Sequence, residues 1–412
     1  MTYKWKLVAL LFCCGALNYA DRAATTAVFP LFRQDLGITN IGMAALGSFF
    51  LWSYALGSPF SGQLADRLSR SRLVVYSLAG WSLITLGTGF VTTVNQLLVT
   101  RVLLGFAECL YLPAAIALIA DHHGPKTYAS ALGVHTAGLS IGLVAGGSAA
   151  GYLGAHFGWQ FAFRALGALG LLLAVLAHFY LRDSEPVARK VSTETGWTDV
   201  VTLFRLPTFL IIISEALLVA VGNNIFINWL PLYFSETYHL SLAGAGFSGT
   251  FLLQFSAVIG AAFGGAISDR AGGTRGRRRM LVQCLCYLVA APLVLTFLAQ
   301  PALPLIAVSI FLFGLLRATG SANEHPVLCD LLTPRMRSTA IGIMNATNCL
   351  AGGIGVFVAG ALKSTYGLGA VFGGISIVML ASAALLFVGY RFISPRNSNS
   401  SNLPAVYLSD RI

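Results

Sequence analysis

The sequence predicts an all-α polytopic membrane protein: twelve transmembrane helices in two six-helix bundles, with both termini cytoplasmic. Three observations predict it: apolar runs long enough to cross a bilayer, a scarcity of charge, and Lys and Arg gathered in alternate connections. The 412 residues are 56% hydrophobic and 10% charged, with a mean hydropathy of +0.76, whereas a soluble domain carries about 25% charged residues. A spanning helix needs about 20 predominantly apolar residues. Runs of that kind fall at 5–29, 41–65, 73–93, 96–120, 128–154, 159–181, 207–234, 243–267, 280–300, 303–329, 338–363 and 367–391. No small-residue cleavage site ends the first run, and Asn18-Tyr19-Ala20-Asp21-Arg22 interrupts it, so it is not expected to be a signal peptide.

Basic residues mark the cytoplasmic side of a membrane protein. With the N-terminus inside, the cytoplasmic connections hold Lys4, Lys6, Arg67, Arg70, Arg72, Lys126, Arg182, Arg189, Lys190, Arg205, Arg270, Arg275, Arg277, Arg278 and Arg279, with Arg335, Arg337, Arg391, Arg396 and Arg411 further on. The other side holds little beyond Arg33, Arg164 and Lys363. That split requires an even number of spans, and it makes the net charge of +11 a matter of topology, so no nucleic-acid partner is expected. The longest polar interval, 182–206, reads as a cytoplasmic linker between an N-terminal bundle at 1–181 and a C-terminal bundle at 207–393. The tail at 394–412 has a disordered composition. Of the seven cysteines, most lie inside apolar runs and none has zinc-type spacing, so they read as small apolar packers and no metal is expected. No Gly-x-x-x-x-Gly-Lys-Ser/Thr loop is present, no cofactor is expected, and nothing points to an enzyme.

An internal repeat divides the chain. Gly57, Phe60, Gly62, Asp66 and Arg67 at the end of the second run recur 203 residues later as Gly260, Phe263, Gly265, Asp269 and Arg270. Asp121, Pro125, Ala131 and Gly133 recur 209 residues later as Asp330, Pro334, Ala340 and Gly342. Duplicated halves place a substrate site between them near the bilayer midplane. The same offsets make Asn224 the counterpart of Asp21, and Arg317 the counterpart of Glu108.

The ionisable residues inside the apolar runs carry the functional argument. A charge at the bilayer centre costs at least about 2.5–3.5 kcal/mol, so such residues mark ion, proton or substrate paths. Asp21 and Arg22 are adjacent in the first run; Arg101 and Glu108 lie seven residues apart, on one face of the fourth. At 1.5 Å per residue, Asp21 lies about 24 Å into its span and Arg101 about 8 Å from the outer end of its own, at comparable depth, with Glu108 two turns deeper. A carboxylate beside an Arg stays ionised, whereas one stranded among apolar groups is pushed to its neutral form. Proton uptake by Asp21 or Glu108 would therefore loosen an Arg pairing. A freed guanidinium can then grip an anion in bidentate fashion. A static ion network tying spans one and four together is the simpler alternative.

Two motifs resemble a known family. Gly62-Gln-Leu-Ala-Asp66-Arg67-Leu-Ser-Arg70-Ser-Arg72 is similar to the loop motif of the major facilitator superfamily, with Gly265–Arg270 as a degenerate second copy. The resemblance covers nearly the whole chain. It implies two bundles rocking about a central cavity, with Gly62 allowing close helix approach and Asp66, Arg67, Arg70, Asp269 and Arg270 stabilising one state. Within that superfamily, Asn18-Tyr19-Ala20-Asp21-Arg22 and Arg101-x-x-x-Gly105-x-x-Glu108 resemble the anion:cation symporters, which include bacterial sugar-acid importers and sialin-type transporters. The resemblance implies that Asp21 and Glu108 are proton sites and Arg22 and Arg101 their cationic or anion-binding partners. It also implies a monomer in the bacterial inner membrane, proton-coupled to a small anionic substrate. The Spinster family of lysolipid transporters shares this constellation. The segments Asn228–Tyr233 and Phe157–Phe163 are more similar to the sugar-acid group.

Other polar residues in the runs admit two readings each. Arg317 is expected in the cavity. Asn224, Asn228 and Gln254 suit either the hydroxyls of a polyol or contacts between helices. His135 reads as a helix-interface residue, and Glu215, Glu324 and His325 take no role from the resemblance. Gly-rich runs at Gly138–Gly151 and Gly352–Gly360 permit close crossings, and the absence of a Gly-Pro pair in the fifth run disfavours drug export.

Overall fold

The structure, a computed structural model, describes residues 2–124, 126–183, 197–270, 275–332 and 334–392, without the side chains of 62, 63, 65–67, 197–199, 268–270, 275, 331, 334, 335, 338 and 392. The first half runs α1 (Tyr3–Ala27), a short α2 (Phe29–Leu36), α3 (Asn40–Arg67), α4 (Arg70–Thr88), α5 (Val94–Glu108), α6 (Tyr111–His122), α7 (Tyr128–Phe157) and α8 (Trp159–Tyr180). The second runs a short α9 (Trp197–Phe204), α10 (Pro207–Tyr238), α11 (Leu242–Arg270), α12 (Arg275–Ala290), a 3-10 turn at Ala291–Leu295, α13 (Thr296–Ala299), α14 (Leu303–Ser321), α15 (Glu324–Leu331) and α16 (Pro334–Phe392). Among the described residues, ten helical segments are long and apolar enough to span a bilayer. One of them, Thr339–Arg391, carries a sharp bend at Gly367, whose φ of 76° suits a residue without Cβ. The nineteen-residue α4 is not among the ten.

Helix breaks depart from the expected continuous spans in an informative way. The fourth apolar run divides at Cys109–Leu110, and the tenth at Ala322–Asn323. Pro113 and Pro326 explain both: each is the third residue of its following helix and cannot donate to the carbonyl four residues back, that of Cys109 or Ala322. Each break abuts a buried carboxyl, Glu108 on one side and Glu324 on the other. The expected linker at 182–206 contains α9, while 184–196 and the tail at 394–412 lie outside the described residues. Asp183 anchors the start of α4. It accepts from the Ser71 N–H at 2.8 Å and from the Ser69 hydroxyl. Partial burial opposes its charge, but these hydrogen bonds prevail and hold its carboxyl below its ordinary range.

The sequence repeat returns in three dimensions. Arg70 pairs with Asp121 at 2.5 Å in the first half, and Arg279 with Asp330 at 3.4 Å in the second. Gly105 admits the Ser53 hydroxyl so closely that a Cβ would lie 2.0 Å from it, and Gly314 admits Ser256 at 2.1 Å. All of these positions obey the same offsets. Between α1 and α7, backbones cross at the small residues the sequence singled out: a Cβ on Gly142 would lie 1.9 Å from the Ala16 carbonyl oxygen.

The halves meet toward the end opposite Tyr3 and Arg391, the distal end. Gly147 and Gly151 of α7 meet Gly246 and Leu242 of α11. The Ser48 hydroxyl donates to the Gly353 carbonyl at 2.7 Å, and the Trp52 indole to Leu350 at 3.2 Å. At the distal rim, Glu236 of the second half receives Arg33 and Lys363, each at 2.8 Å. Asn40 joins them, accepting from Arg33 at 2.7 Å and from Lys363 at 3.3 Å. Two of the three basic residues expected on the outer side, Arg33 and Lys363, thus converge on one carboxylate between the halves.

Gly142→Val drives a side chain into the α1 backbone, an overpacking cost of about 1–3 kcal/mol. It is expected to lower the melting temperature in detergent, whereas Gly133→Ala, facing open space, is expected to leave it unchanged or raise it slightly. Equal melting of the Gly142→Val variant and the parent chain contradicts the close crossing.

Candidate functional site

A cavity of about 350 Å³ lies between the halves, within the size range of about 300–1,000 Å³ typical of small-molecule sites. Arg22 and Thr25 of α1, Phe50 of α3 and Arg101 of α5 line it from the first half. Asn224 and Asn228 of α10, Gln254 of α11, Arg317 of α14 and Glu324 of α15 line it from the second. Every polar residue expected to touch substrate borders this one space: Arg22, Arg101, Arg317, Asn224, Asn228 and Gln254. The two acids Asp21 and Glu108 stand behind its wall.

Adjacency in the chain does not decide the pairing. Successive residues on a helix point about 100° apart, so Asp21 and Arg22 face different neighbours. Arg22 Nε donates to Glu108 Oε2 at 2.8 Å, linking α1 to α5. Its guanidinium carbon also stands over three rings, Tyr19 at 4.7 Å, Phe50 at 4.8 Å and Tyr54 at 5.0 Å, each a favourable cation–π approach. Glu108 is 1% exposed, and its other oxygen has no hydrogen-bond partner. Asp21 turns the opposite way, 1% exposed, accepting from the Thr85 hydroxyl of α4 at 3.2 Å with its second oxygen unpartnered.

Arg101 is the most available cation. It is 2% exposed and donates one nitrogen, Nη1, to the Thr25 hydroxyl at 2.6 Å. Its Nε and Nη2 have no hydrogen-bond partner. The expected contact with a carboxylate is replaced by a neutral hydroxyl, because Glu108 is engaged by Arg22. Arg317 likewise has an unpartnered Nε. The amide nitrogens of Asn224 and Asn228 donate to carbonyls one turn back, Ala220 and Asn224, each at 2.9 Å. These amides also pack against Gly352 and Gly47, so they serve the helix interface while bordering the cavity.

The remaining expected residues divide. Gly62, Asp66, Arg67, Asp269 and Arg270 lie on the helical ends of α3 and α11, and the side chains of Asp66, Arg67, Asp269 and Arg270 lie outside the described residues. Arg70 pairs with Asp121 and also donates to the Ala117 carbonyl at 3.0 Å. His135 sits at the α1–α7 crossing, 1% exposed, with the Tyr111 hydroxyl 3.4 Å from its Nε2. His325 is on the exposed side of α15. Sequence reasoning missed Tyr19, Thr25, Tyr54 and Thr85 as partners of the charges. Tyr19 and Thr25 lie three residues either side of Arg22, a signal present in the sequence; Tyr54 and Thr85 come from other helices and left none. Among the described residues, no three His, Cys, Asp or Glu side chains gather as a metal site.

A helical membrane fold with a cationic cavity between duplicated halves defines a class of transport-type membrane proteins. The Major Facilitator Superfamily profile matches residues 11–291 and 273–406, and the chain belongs to that superfamily. An MFS-type efflux pump of Mycolicibacterium smegmatis is 28% identical, covering 93% of this chain and 90% of that protein. A hexuronate transporter of Bacillus subtilis is 27% identical over 95% of each chain. Spinster homolog 1 of Bos taurus is 29% identical, over 81% of this chain and 68% of that one. A bacterial Spinster homolog solved in an inward-facing, unoccupied conformation superposes with a TM-score of 0.77 at 20% identity, covering 96% of this chain and 98% of its own.

Removing Arg22 strands the Glu108 carboxylate in the protein interior, where losing one partner of a buried pair costs about 3–5 kcal/mol. Arg22→Met is expected to lower thermal stability markedly, and Arg22→Met with Glu108→Gln to recover most of the loss. A double variant no more stable than the single one rules out the pair as the cause.

Proposed function

We propose that this protein is a secondary active transporter that carries a small organic anion, a sugar acid or related carboxylate, together with protons by alternating access. The observation that carries the reading is the cavity wall: three guanidiniums border one space between the halves, and two of them retain unpartnered donors. An anion entering that space gains charge-assisted hydrogen bonds with no existing ion pair of Arg101 to break. Asp21 and Glu108 are the proton sites. Protonating Glu108 releases Arg22 toward the cavity, so proton and anion binding favour each other. The Asn224 and Asn228 carbonyl oxygens and the Gln254 amide suit the hydroxyls of a sugar acid.

Alternating access follows from where the halves touch. The distal rim around Glu236 closes one face, so the cavity opens toward the end bearing the termini. Counting α4 as a span and dividing α16 at Gly367 gives twelve spans, with Tyr3 and Arg391 at the same end. On this reading residues 1–181 and 207–393 are the rocking bundles, 182–206 joins them in the cytoplasm, and the termini mark the cytoplasmic face of a bacterial inner membrane. The helical ends carrying Gly62, Asp66, Arg67, Asp269 and Arg270, with Arg70, stabilise the opposite state. The protein works as a monomer and is no enzyme. The similarity to the hexuronate transporter supports the substrate class.

A second reading, a Spinster-like transporter of lysophospholipid or another amphiphile, is favoured by one observation. A groove of about 430 Å³ between α1, α7 and α8 is lined almost wholly by apolar side chains, Phe12, Leu17, Ile141 and Leu169 among them.

The test is uptake by proteoliposomes under an imposed pH gradient, with galacturonate, glucarate and a lysophospholipid as separate probes. Uphill accumulation of a sugar acid is expected. Asp21→Asn and Glu108→Gln should abolish accumulation while retaining exchange, and Arg101→Ala should raise KM at least about tenfold, one lost charge-assisted bond being worth about 1.5–3 kcal/mol. Transport of the lysolipid alone, or full accumulation by both acid variants, overturns the reading. Glu236→Gln tests the distal rim separately. It is expected to make the distal ends of α2 and α10 more accessible to a water-soluble thiol reagent, at cysteines introduced at Gln34 and Ser235. Unchanged labelling removes Glu236 as a closing contact.

A further inference from the structure

The second half contains a buried charge group that the transport reading does not use. Glu215 of α10 is 0% exposed, and neither of its carboxyl oxygens has a hydrogen-bond partner. Its electrostatic partners are Glu324 of α15 and Tyr287 of α12, and those of Glu324 are Arg317 and Tyr287. The Tyr287 ring is wedged against Gly320, where a Cβ would lie 2.5 Å from it, and its hydroxyl reaches to 3.5 Å from Glu324 Oε1. Arg317 and Glu324 border the cavity; Glu215 and Tyr287 lie behind it.

We propose that Glu215 and Glu324 form a second proton-binding site, linked to the cavity through Arg317. It rests on the symport reading for its role in transport, but not for its existence. The Tyr287 hydroxyl faces both carboxyl groups in an apolar interior, and the Arg317 guanidinium stands by Glu324 alone. Full ionisation of both would leave Glu215 as a buried charge with neither water nor a cation against it, a costly state. The pair therefore holds a proton, with Glu215 as the resting bearer. Glu324, on the cavity wall, is the exchange point, and the Tyr287 hydroxyl stands between them as a relay that takes one proton as it gives another. An anion bound to Arg317 withdraws the cation that stabilises Glu324 as a carboxylate. Glu324 then takes up a proton from the cavity, and the substrate leaves accompanied by one proton more than Asp21 and Glu108 supply.

The site is tested without substrate by infrared difference spectroscopy of the whole protein in lipid nanodiscs, titrated across neutral pH. A protonated-carboxyl C=O band is expected that disappears in Glu215→Gln, shifts in Tyr287→Phe and survives in Asp21→Asn with Glu108→Gln. A Glu215→Gln spectrum that keeps every band of the parent chain overturns the proposal. If that variant does not hold its fold, a Tyr287→Phe band identical in position and pH dependence to the parent overturns it as well. In proteoliposomes with galacturonate as probe, Glu324→Gln should lower the proton-to-substrate ratio by one. A ratio unchanged in that variant refutes the coupling even where the band stands, and failure of all galacturonate transport refutes the transport reading while leaving the infrared result intact.

Discussion

The site is organised around the ion pair between Arg22 and Glu108. It joins α1 to α5 across the interior of the first half, and it decides what every other charge nearby can do. Because Arg22 takes Glu108, Arg101 is left with a threonine hydroxyl and two idle donors. With Arg22 turned to Glu108, Asp21, about 100° further round α1, is left with the Thr85 hydroxyl. The aromatic rings of Tyr19, Phe50 and Tyr54 then surround the Arg22 guanidinium, replacing part of the hydration it gives up. A buried pair of this sort contributes little net stability, while removing one partner is costly because it leaves the other charge uncompensated.

Around that pair the fold supplies close but slippery contacts. Small residues allow α7 to lie directly on α1 within the first half and on α11 across to the second. Such crossings involve little side-chain interlocking, so they tolerate relative movement better than interdigitated large residues. At the distal rim, contact is ionic, with Glu236 shared by Arg33 and Lys363. Charged contacts of this kind exchange readily with water, which suits a surface that separates in the proposed alternating access. The proline-induced breaks at Cys109 and Ala322 have a related consequence: each interrupts a spanning helix beside a buried carboxyl, where irregular backbone is tolerated because it faces protein and a cavity and not lipid.

Much of this was legible in the chain. The rarity of charge inside apolar runs singles out Asp21, Arg22, Arg101, Glu108 and Arg317, because hydrocarbon penalises ionised groups whatever the fold. The repeat offsets make Arg317 the counterpart of Glu108, and they hold for the Ser53–Gly105 and Ser256–Gly314 contacts, which spacing alone does not single out. What was not legible were partners. Two acids and two arginines were expected as partners, and nothing in their spacing said that Arg22 takes Glu108 and leaves Asp21 to Thr85. Thr85 and Tyr287 stand in unremarkable apolar runs, and only the packing of α4 on α1 and of α12 on α14 brings them to the charges.

The sequence by itself determined that the chain is helical, membrane-spanning, duplicated and in possession of a few deliberately buried charges, since length, hydropathy and repeat spacing are properties of one dimension. The tertiary structure alone decided which charge meets which, which donors are left idle and which side chains share a void. Those outcomes depend on the rotation of each helix about its axis and on crossings set by side-chain volume, and neither is encoded in the spacing along a single strand of residues.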